Sequence, residues 1–376
     1  MLDSLTDVKK ELKKKLKKKK SVCLLPSLSE NDKQYIHLIR EGTRQLNQNN
    51  VTRTQAYFQF YLQHPEIHWA LLGHMVSRNV GWNMTDLKGE LLTKLLPERD
   101  QKAFFSFLEQ GSWLIFQDVY PQFWVYDLSV RGSQEMFHLL PFFYTSTFME
   151  TMWRYFWRSG DSYSLAIAMV INEQSYLEKR LIQNNHFKKN VTGTLSFKMY
   201  EFLQLNNILF PYYAGGEMEK PSLVGTTSHQ FTSLHERILV GKNLYSLLFQ
   251  REEILAGAVK WAHECPHTGS RKDYWPDLFN DVNESFPRSL YKPRVKNCLL
   301  RKGANRLYSP PLKYAWPDAA HEETTSEDWF EDCHVLDYIK KEVSFNGEIL
   351  NNYCKTLEKI ELAVMAKEAL LLREEE

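Results

Sequence analysis

Apolar residues recur at intervals of three and four along most of this chain, which is the spacing of a helix that packs one face on a core. Between residues 65 and 76 they occupy nearly every side of the predicted helix, including Trp69, so we expect protein all around it. Sustained alternation of the strand type is absent from the sequence. The pattern predicts an all-α fold, with further helices at 98–118, 142–158, 163–181, 194–209, 234–248 and 251–264. An aromatic turn containing Pro121 should separate the first of these from a short helix.

The helix that begins near Pro65 is predicted to end in a polar corner over residues 77–86. Asn79 and Gly81 are residue types that readily take the left-handed conformation at a helix end. Asn83 with Asp86 three positions later resembles an N-cap and its reciprocal partner, which predicts the start of a second helix. Hydrogen-bonding groups are concentrated here, so the corner is our candidate ligand site, formed by Arg78, Asn79, Trp82, Asn83 and Asp86.

A second polar segment, residues 268–277, contains Arg271 and Trp275. If Arg271 faces Arg78, the two guanidinium groups would form an anion pocket with aromatic walls, suited to phosphate or carboxylate. The alternative is structural, with Arg78 held by Asp86 or by carbonyl groups at a helix C-terminus.

The chain is long enough for one large domain. We expect a basic amphipathic appendage at 1–28 and a single multi-helix domain at 29–376. Within that domain, glycines and prolines predict a long loop at 211–233, and seven prolines predict an irregular strap at 265–328. A loop of that length in a compact protein is usually functional or wraps the surface. Residues 329–376 have the pattern of C-terminal helices.

Charge is distributed unevenly. Nine lysines and three acidic residues give residues 1–20 a charge of +6, so the other residues carry −5 against a total of +1. The lysines between Lys9 and Lys20 surround a narrow apolar stripe, which suits a helix that lies on an anionic membrane surface. A solvated tail is the alternative. Sequence-specific nucleic-acid motifs are absent, and the body is not basic.

The five cysteines are odd in number and widely scattered, which is poor material for a secreted disulfide framework. The Lys-rich N-terminus is not followed by the apolar region of a signal peptide. The longest uncharged apolar stretch, 136–149, has about fourteen residues and contains Pro141, short of the roughly twenty that span a bilayer. We therefore expect a cytoplasmic protein that is at most peripheral to a membrane.

Metal chemistry is the less favoured alternative. His263, Cys265 and His267 offer three metal-capable side chains in five residues, but no Cys-x-x-Cys pair completes the four ligands of structural zinc. Three Glu-x-x-His pairs, of the kind that serves di-iron sites, begin at Glu135, Glu264 and Glu331. Nucleotide-binding glycine loops and the Gly-x-Ser-x-Gly elbow are absent from the sequence. No cofactor is identified, and a buried structural role for Cys265 is favoured over a nucleophilic one.

Several short motifs resemble those of an uncharacterised family from Bacillus-type bacteria, domain of unknown function 2515. They are Thr-Arg-Thr-Gln-Ala-Tyr at 52–57, Ser-Arg-Asn at 77–79, Gly-Trp-Asn-Met-Thr-Asp-Leu at 81–87, Thr-Gly-Ser-Arg at 268–271 and Asp-Tyr-Trp-Pro at 273–276. The resemblance covers the chain from about residue 30 onward, and it implies no activity.

These observations favour a helical module that binds a small anionic ligand or a protein partner at the 77–86 corner. The alternative is an enzyme, such as a metal-assisted hydrolase, that uses His74, His263 or the Glu-x-x-His pairs near that corner. Whether the protein is an enzyme, and what its ligand is, the sequence leaves open.

Overall fold

A computed structural model of the chain is mostly helical, as the apolar pattern predicts. It describes residues 3–18, 28–194, 196, 207–215, 220–227, 231–284, 290–322, 327–340 and 349–374. The helices in these ranges are α1 (Leu5–Lys18), α2 (Glu30–Leu46), α3 (Asn50–Gln63), α4 (His68–Asp86), α5 (Leu92–Leu95), α6 (Glu98–Gly132), α7 (Thr147–Ser159), α8 (Ser162–Leu177), α9 (Asn185–Phe187), α10 (Leu234–Phe249), α11 (Glu252–Glu264), α12 (Leu312–Ala315), α13 (Asp337–Lys340) and α14 (Leu350–Glu374). Further turns are 3₁₀ at Phe137–Phe143, Arg271–Asp273 and His334–Leu336, and π-helical at Glu178–Ile182 and Lys188–Thr192.

Three small two-stranded sheets accompany the helices, contrary to the all-α prediction. Their strands are β1 (Asn207–Tyr212), β2 (Ser222–Thr227), β3 (Phe279–Asn280), β4 (Val295–Lys296), β5 (Leu299–Leu300) and β6 (Leu307–Tyr308). β1 pairs antiparallel with β2, β4 pairs antiparallel with β5, and β3 runs parallel to β6. The helix predicted at 194–209 is therefore wrong at its end, and the rest of it (195 and 197–206) lies outside the described residues. The burial of β1 and β2 does not alternate along their six residues, and the other strands have only two residues each, so the sequence carries no alternating pattern there.

Helix α4 lies at the centre of the fold and contacts α3, α6, α8, α10 and β1. Trp69, Leu72 and Met75 are buried, which confirms that protein surrounds this helix. The predicted corner is wrong, because α4 continues without a break to Asp86. Gly81 is needed for close approach and not for a helix end: a Cβ there would lie 2.5 Å from Nε2 of His267.

Helix α6 also runs through its predicted break at the Pro121 turn. Proline inside a helix costs one backbone hydrogen bond and some crowding. Pro121 is buried in the helical core, and burial of the neighbouring side chains offsets the local cost. The expected aromatic turn and separate short helix are therefore one long helix.

The basic N-terminal helix α1 packs on α7. Val8 and Leu12 have no exposed surface, and Lys15 forms an ion pair with Glu150 at 3.1 Å. The apolar stripe that suited a membrane surface thus faces the protein body, while Lys19 and Lys20 lie outside the described residues. No helix in the described ranges is long and apolar enough to cross a membrane.

The region from residue 290 is fastened to the C-terminal helix α14. Glu361 of α14 is buried and accepts hydrogen bonds from the backbone N–H groups of Arg294 and Val295 at 2.7 and 3.0 Å. Cys298 and Cys354 form a disulfide between the β4–β5 turn and α14, with their Cα atoms 5.2 Å apart. The scattered cysteine spacing did not predict this bond, which forms because folding brings together cysteines that are 56 residues apart in sequence.

Candidate functional site

The residues of the predicted corner lie on two different faces of α4. His74, Arg78, Trp82 and Asp86 follow one another at intervals of four and face the segment from residue 261 to 275, to which three of them bond. Asn79 lies toward the opposite face, which lines a cavity between helices. Asn83 lies between the two faces, since it lines that cavity and also accepts a hydrogen bond from Arg271. Successive helical residues point about 100° apart, so a continuous helix must separate groups that a tight corner would have gathered.

Arg78 is a buried structural cation. Its Nη2 donates to the carbonyl oxygens of Ala262 and Cys265 at 3.2 and 2.5 Å, at the C-terminus of α11. Its Nε donates to Nε2 of His74 at 2.9 Å, and its guanidinium lies 4.4 Å from the ring centre of Trp261. Burial lowers the pKa of Arg78 to about 10. These contacts match the structural alternative, in which helix C-terminal carbonyl groups hold the guanidinium.

Arg271 belongs to a separate network. Its Nε lies 2.9 and 2.8 Å from the two carboxylate oxygens of Asp86, and its Nη2 donates to Oδ1 of Asn83 at 3.1 Å. Its Nη1 donates to the hydroxyl of Tyr274 at 2.7 Å, which contacts the hydroxyl of Tyr353 at 2.8 Å. Arg78 and Arg271 thus have different partners, and Asp86 neutralises Arg271.

Aromatic rings separate these two networks. Trp82 is fully buried, its ring centre lies 4.5 Å from that of Tyr274, and its Nε1 donates to Asp273 at 3.4 Å. Trp275 is half-buried, with its ring centre 5.9 Å from that of Tyr353. The aromatic residues predicted as pocket walls fill the space between α4, α14 and the 267–275 segment.

The metal-capable residues do not share a site. His263 is exposed, Cys265 is half-buried beside Tyr213, and His267 is buried with its Nε2 2.8 Å from Oδ1 of Asn50. In the described ranges, no three His, Cys, Asp or Glu side chains are grouped so as to hold a metal ion.

The Glu-x-x-His pairs have structural partners. Glu135 and Glu331 form ion pairs with Arg154 and Lys179, while His138 lies 3.1 Å from Asp32 and His334 lies 3.6 Å from Asp337. In the third pair, Glu264 is exposed and His267 is buried. His74 also uses both ring nitrogens, since Nδ1 contacts the carbonyl oxygen of Thr54 at 2.8 Å and Nε2 accepts from Arg78.

A feature that the sequence did not reveal is a cavity of about 240 Å³ beside α4. Its walls come from α3, α4, α6, α8, β1 and α10. Most of the lining is aliphatic or aromatic, and α4 contributes Trp69, Leu72, Val76 and Val80 at helical spacing. Val76 and Val80 retain accessible surface although α4 is central, because that surface faces the cavity.

Two arginines line the cavity, and each already has an acidic partner. Arg53 donates to Glu109 at 2.5 Å in a fully buried ion pair. Arg237 donates to Glu178 at 2.5 Å and to the carbonyl oxygen of Phe231 at 2.7 Å. Their charges are balanced within the protein.

Glu173 of α8 is the acidic group in the cavity wall. It retains accessible surface on the cavity side, yet burial raises its pKa to about 7. Gln174 donates to Oε1 of Glu173 at 2.9 Å, and the indole N–H of Trp69 is close by without reaching hydrogen-bonding geometry. Because Gln174 accepts from Nε of Arg237 through its oxygen, its amide N–H₂ must face Glu173. The carboxyl group is therefore held in a fixed orientation.

Sequence reasoning missed the cavity because its lining comes from six separate elements. Glu173 lies in a helix that is predicted from the apolar pattern of its sequence. A single acidic residue in such a helix is normally interpreted as a solvent-exposed position. The only available signal was its position among apolar neighbours on almost all sides of α8.

Comparison with known proteins identifies the family. The family model described as "Protein of unknown function (DUF2515)" matches residues 45–349, which include all the cavity residues named above. A protein of Bacillus subtilis (strain 168) with the name "Uncharacterized protein YppC" is 38% identical over 293 residues, or 78% of this chain and 82% of that protein. No solved structure matches. Both similarities extend over most of the chain, as the short motifs implied, and the chain belongs to the DUF2515 family.

Proposed function

We propose that this protein binds a small apolar molecule in the cavity between α3, α4, α6, α8 and α10. The observation that carries the proposal is the cavity itself. An apolar cavity of about 150 Å³ in a helical core is enough to bind benzene. The 240 Å³ here accommodates a larger molecule than benzene, and it is a little below the range of about 300–1,000 Å³ for pockets that hold drug-sized ligands.

The cavity also has the composition of a ligand site. Ligand pockets are mostly apolar with a few fixed polar groups that orient the guest. Here aliphatic and aromatic side chains surround Asn83 and Glu173, both of which keep accessible surface. Leaving that much apolar surface without packing partners costs stability, since a cavity forfeits the contacts of its lining. A bound molecule would restore those contacts.

The anionic ligand expected at 77–86 has less support, because Asp86 already neutralises Arg271 and backbone carbonyl groups occupy Arg78. The metal-assisted hydrolase has less support as well. Its histidines and glutamates contact different residues, and in the described ranges no group of them could hold a metal ion. Cytoplasmic location remains part of our proposal.

A first prediction tests the cavity with octanol, a neutral apolar probe. Val80→Phe places a ring in the cavity, so octanol binding measured by calorimetry should fall at least about tenfold, as expected when the guest loses most of its buried area. Val130→Phe is the matched control, because Val130 is exposed on α6 and does not line the cavity.

Thermal unfolding monitored by circular dichroism shows whether each variant folds, and Ser112→Leu fills the same cavity from α6 if Val80→Phe does not. Octanol that binds the parent and a folded cavity-filled variant equally, or that does not bind the parent at all, would contradict the proposal.

A further inference from the structure

The charges around the cavity leave one ionisable group without a charged partner of its own. Arg53 is paired with Glu109, and Arg237 is paired with Glu178. Glu173 lines the cavity and has no ion-pair partner within 4.0 Å in the described part of the chain. A carboxyl group buried in apolar surroundings is costly to ionise unless a cation or several hydrogen-bond donors compensate it.

The groups that surround Glu173 supply only part of that compensation. Gln174 gives one hydrogen bond to Oε1, and Trp69 is nearby but out of bonding geometry. Arg237 acts on the carboxyl from α10, but its guanidinium is used by Gln174, Phe231 and Glu178. A bound molecule that carries its own hydrogen-bond donor would supply the hydrogen bonds that the Glu173 carboxylate lacks.

We infer that the cavity selects an apolar molecule with a protonated amine, whose ammonium group pairs with the Glu173 carboxylate while its hydrocarbon part fills the aliphatic pocket. This inference rests on the proposed function. A hydrogen bond between a charged donor and a charged acceptor is about twice as strong as a neutral one, and the low dielectric of the cavity strengthens it further. A carboxylic acid would instead place a second acidic group beside Glu173, which like-charge repulsion disfavours.

The ionisation of Glu173 links this binding to pH. Arg237 from α10 is the charged group that acts on the carboxyl, and Tyr57 from α3 is the titratable group that feels its charge; Arg53 from α3 acts in turn on Tyr57. Because the pKa of Glu173 is about 7 and that of an alkyl amine is near 10, the matching charge states coexist above about pH 7. Amine binding should therefore strengthen as pH rises from about 6 to about 8 and then level off.

The test compares three probes of equal chain length, octylamine, octanol and octanoic acid, by calorimetry with the full-length protein. We expect octylamine to bind at least about tenfold more tightly than octanol at about pH 8, and octanoic acid to bind more weakly than octanol. Octylamine affinity should rise about tenfold between about pH 6 and about pH 8, while octanol affinity stays constant.

Glu173→Gln keeps the shape of the side chain and removes its charge. It should bring octylamine to within about threefold of octanol and remove the pH dependence of amine binding. Glu253→Gln, on the exposed side of α11, is the control and should behave like the parent. Octanol binding to Glu173→Gln shows that this variant is folded and that its cavity is intact.

The outcomes separate the two proposals. If none of the three probes binds the parent, the proposed function itself fails. If octanol binds but octylamine shows no advantage, or keeps its advantage in Glu173→Gln, the amine inference fails while the cavity remains a binding site. Preferential binding of octanoic acid would also overturn the inference.

Discussion

At the scale of single residues, the contacts of Arg78 show whether a buried arginine serves a ligand-binding site or holds two helices together. Its side chain contacts two helices. It donates to two carbonyl oxygens at the C-terminus of α11 and to His74 of its own helix, and it packs on Trp261 of α11. Free carbonyl groups at a helix C-terminus attract cations, and burial makes each such contact expensive to lose. Arg78 therefore joins α4 to α11.

Arg78→Lys should destabilise the fold, since the ammonium cannot reach His74 and the two carbonyl oxygens in the same planar geometry. We expect the free energy of unfolding to fall by about 3 kcal/mol, as for the loss of one or two buried charge-assisted hydrogen bonds. Denaturant titration measures it. Arg131→Lys is the control: Arg131 is exposed and its partner Asp127 is also contacted by His64, so this change should alter stability by less than about 0.5 kcal/mol. Equal effects of the two substitutions would contradict the structural role.

At the scale of elements, the N-terminal helix is more firmly attached than its composition indicates. Lysines dominate α1, but its two fully buried side chains, Val8 and Leu12, point at α7. Burial of a Val or Leu side chain contributes about 1.5–3 kcal/mol. The basic face stays exposed, so any attraction to an anionic surface would act through charge alone.

Leu12→Ala should accordingly lower the free energy of unfolding by about 2–5 kcal/mol, which is the usual range for a buried leucine. Limited proteolysis should then release α1 earlier than in the parent. The control is Lys13→Ala, because Lys13 is exposed on the neighbouring position. If Leu12→Ala unfolds at the same denaturant concentration as Lys13→Ala, α1 does not pack on α7.

At the scale of the whole molecule, buried ionisable groups give stability a distinctive dependence on pH. Burial raises the pKa of Asp118 and of Glu173 to about 7, so the folded state keeps protons that the unfolded state has lost. Their contribution is complete below about pH 4 and is lost as pH rises through 7. Burial lowers the pKa of His74 and His267, and their contribution is lost as pH falls below about 6.5. The two effects oppose each other between about pH 4 and 6.5.

Asp118→Asn separates the effect of the buried carboxyl groups from that of the histidines. It removes one carboxyl group, while its remaining oxygen can still accept hydrogen bonds from Asn172 and Gln122. The stability of the variant relative to the parent should rise by about 1.4 kcal/mol per pH unit between about pH 5 and 7, and then stay constant. Denaturant titrations at several pH values provide the measurement. A difference that does not vary with pH would show that Asp118 ionises normally in the folded protein.

The helical class, the burial of α4 and the family could all be predicted from the amino-acid sequence. These follow from information that is local or spread along the whole chain: apolar spacing around Trp69 fixes a helix that must be covered, and the short motifs at 77–87 and 268–276 mark the family. Capping signals at Asn79 and Gly81 were misleading, because a cap contributes only about 1 kcal/mol and tertiary burial of α4 outweighs it.

Which side chains come into contact depends on tertiary packing and could not be predicted from the sequence. Asp86 pairs with Arg271, which is 185 residues away in the sequence. Glu173, a single acidic residue on α8, lines the cavity because five other elements pack around it. Such contacts depend on which faces of separate helices pack together, which no local pattern encodes. The corner that the sequence predicted is thus a continuous helix, whose polar face joins it to α11 and the 267–275 segment and whose opposite face lines the cavity.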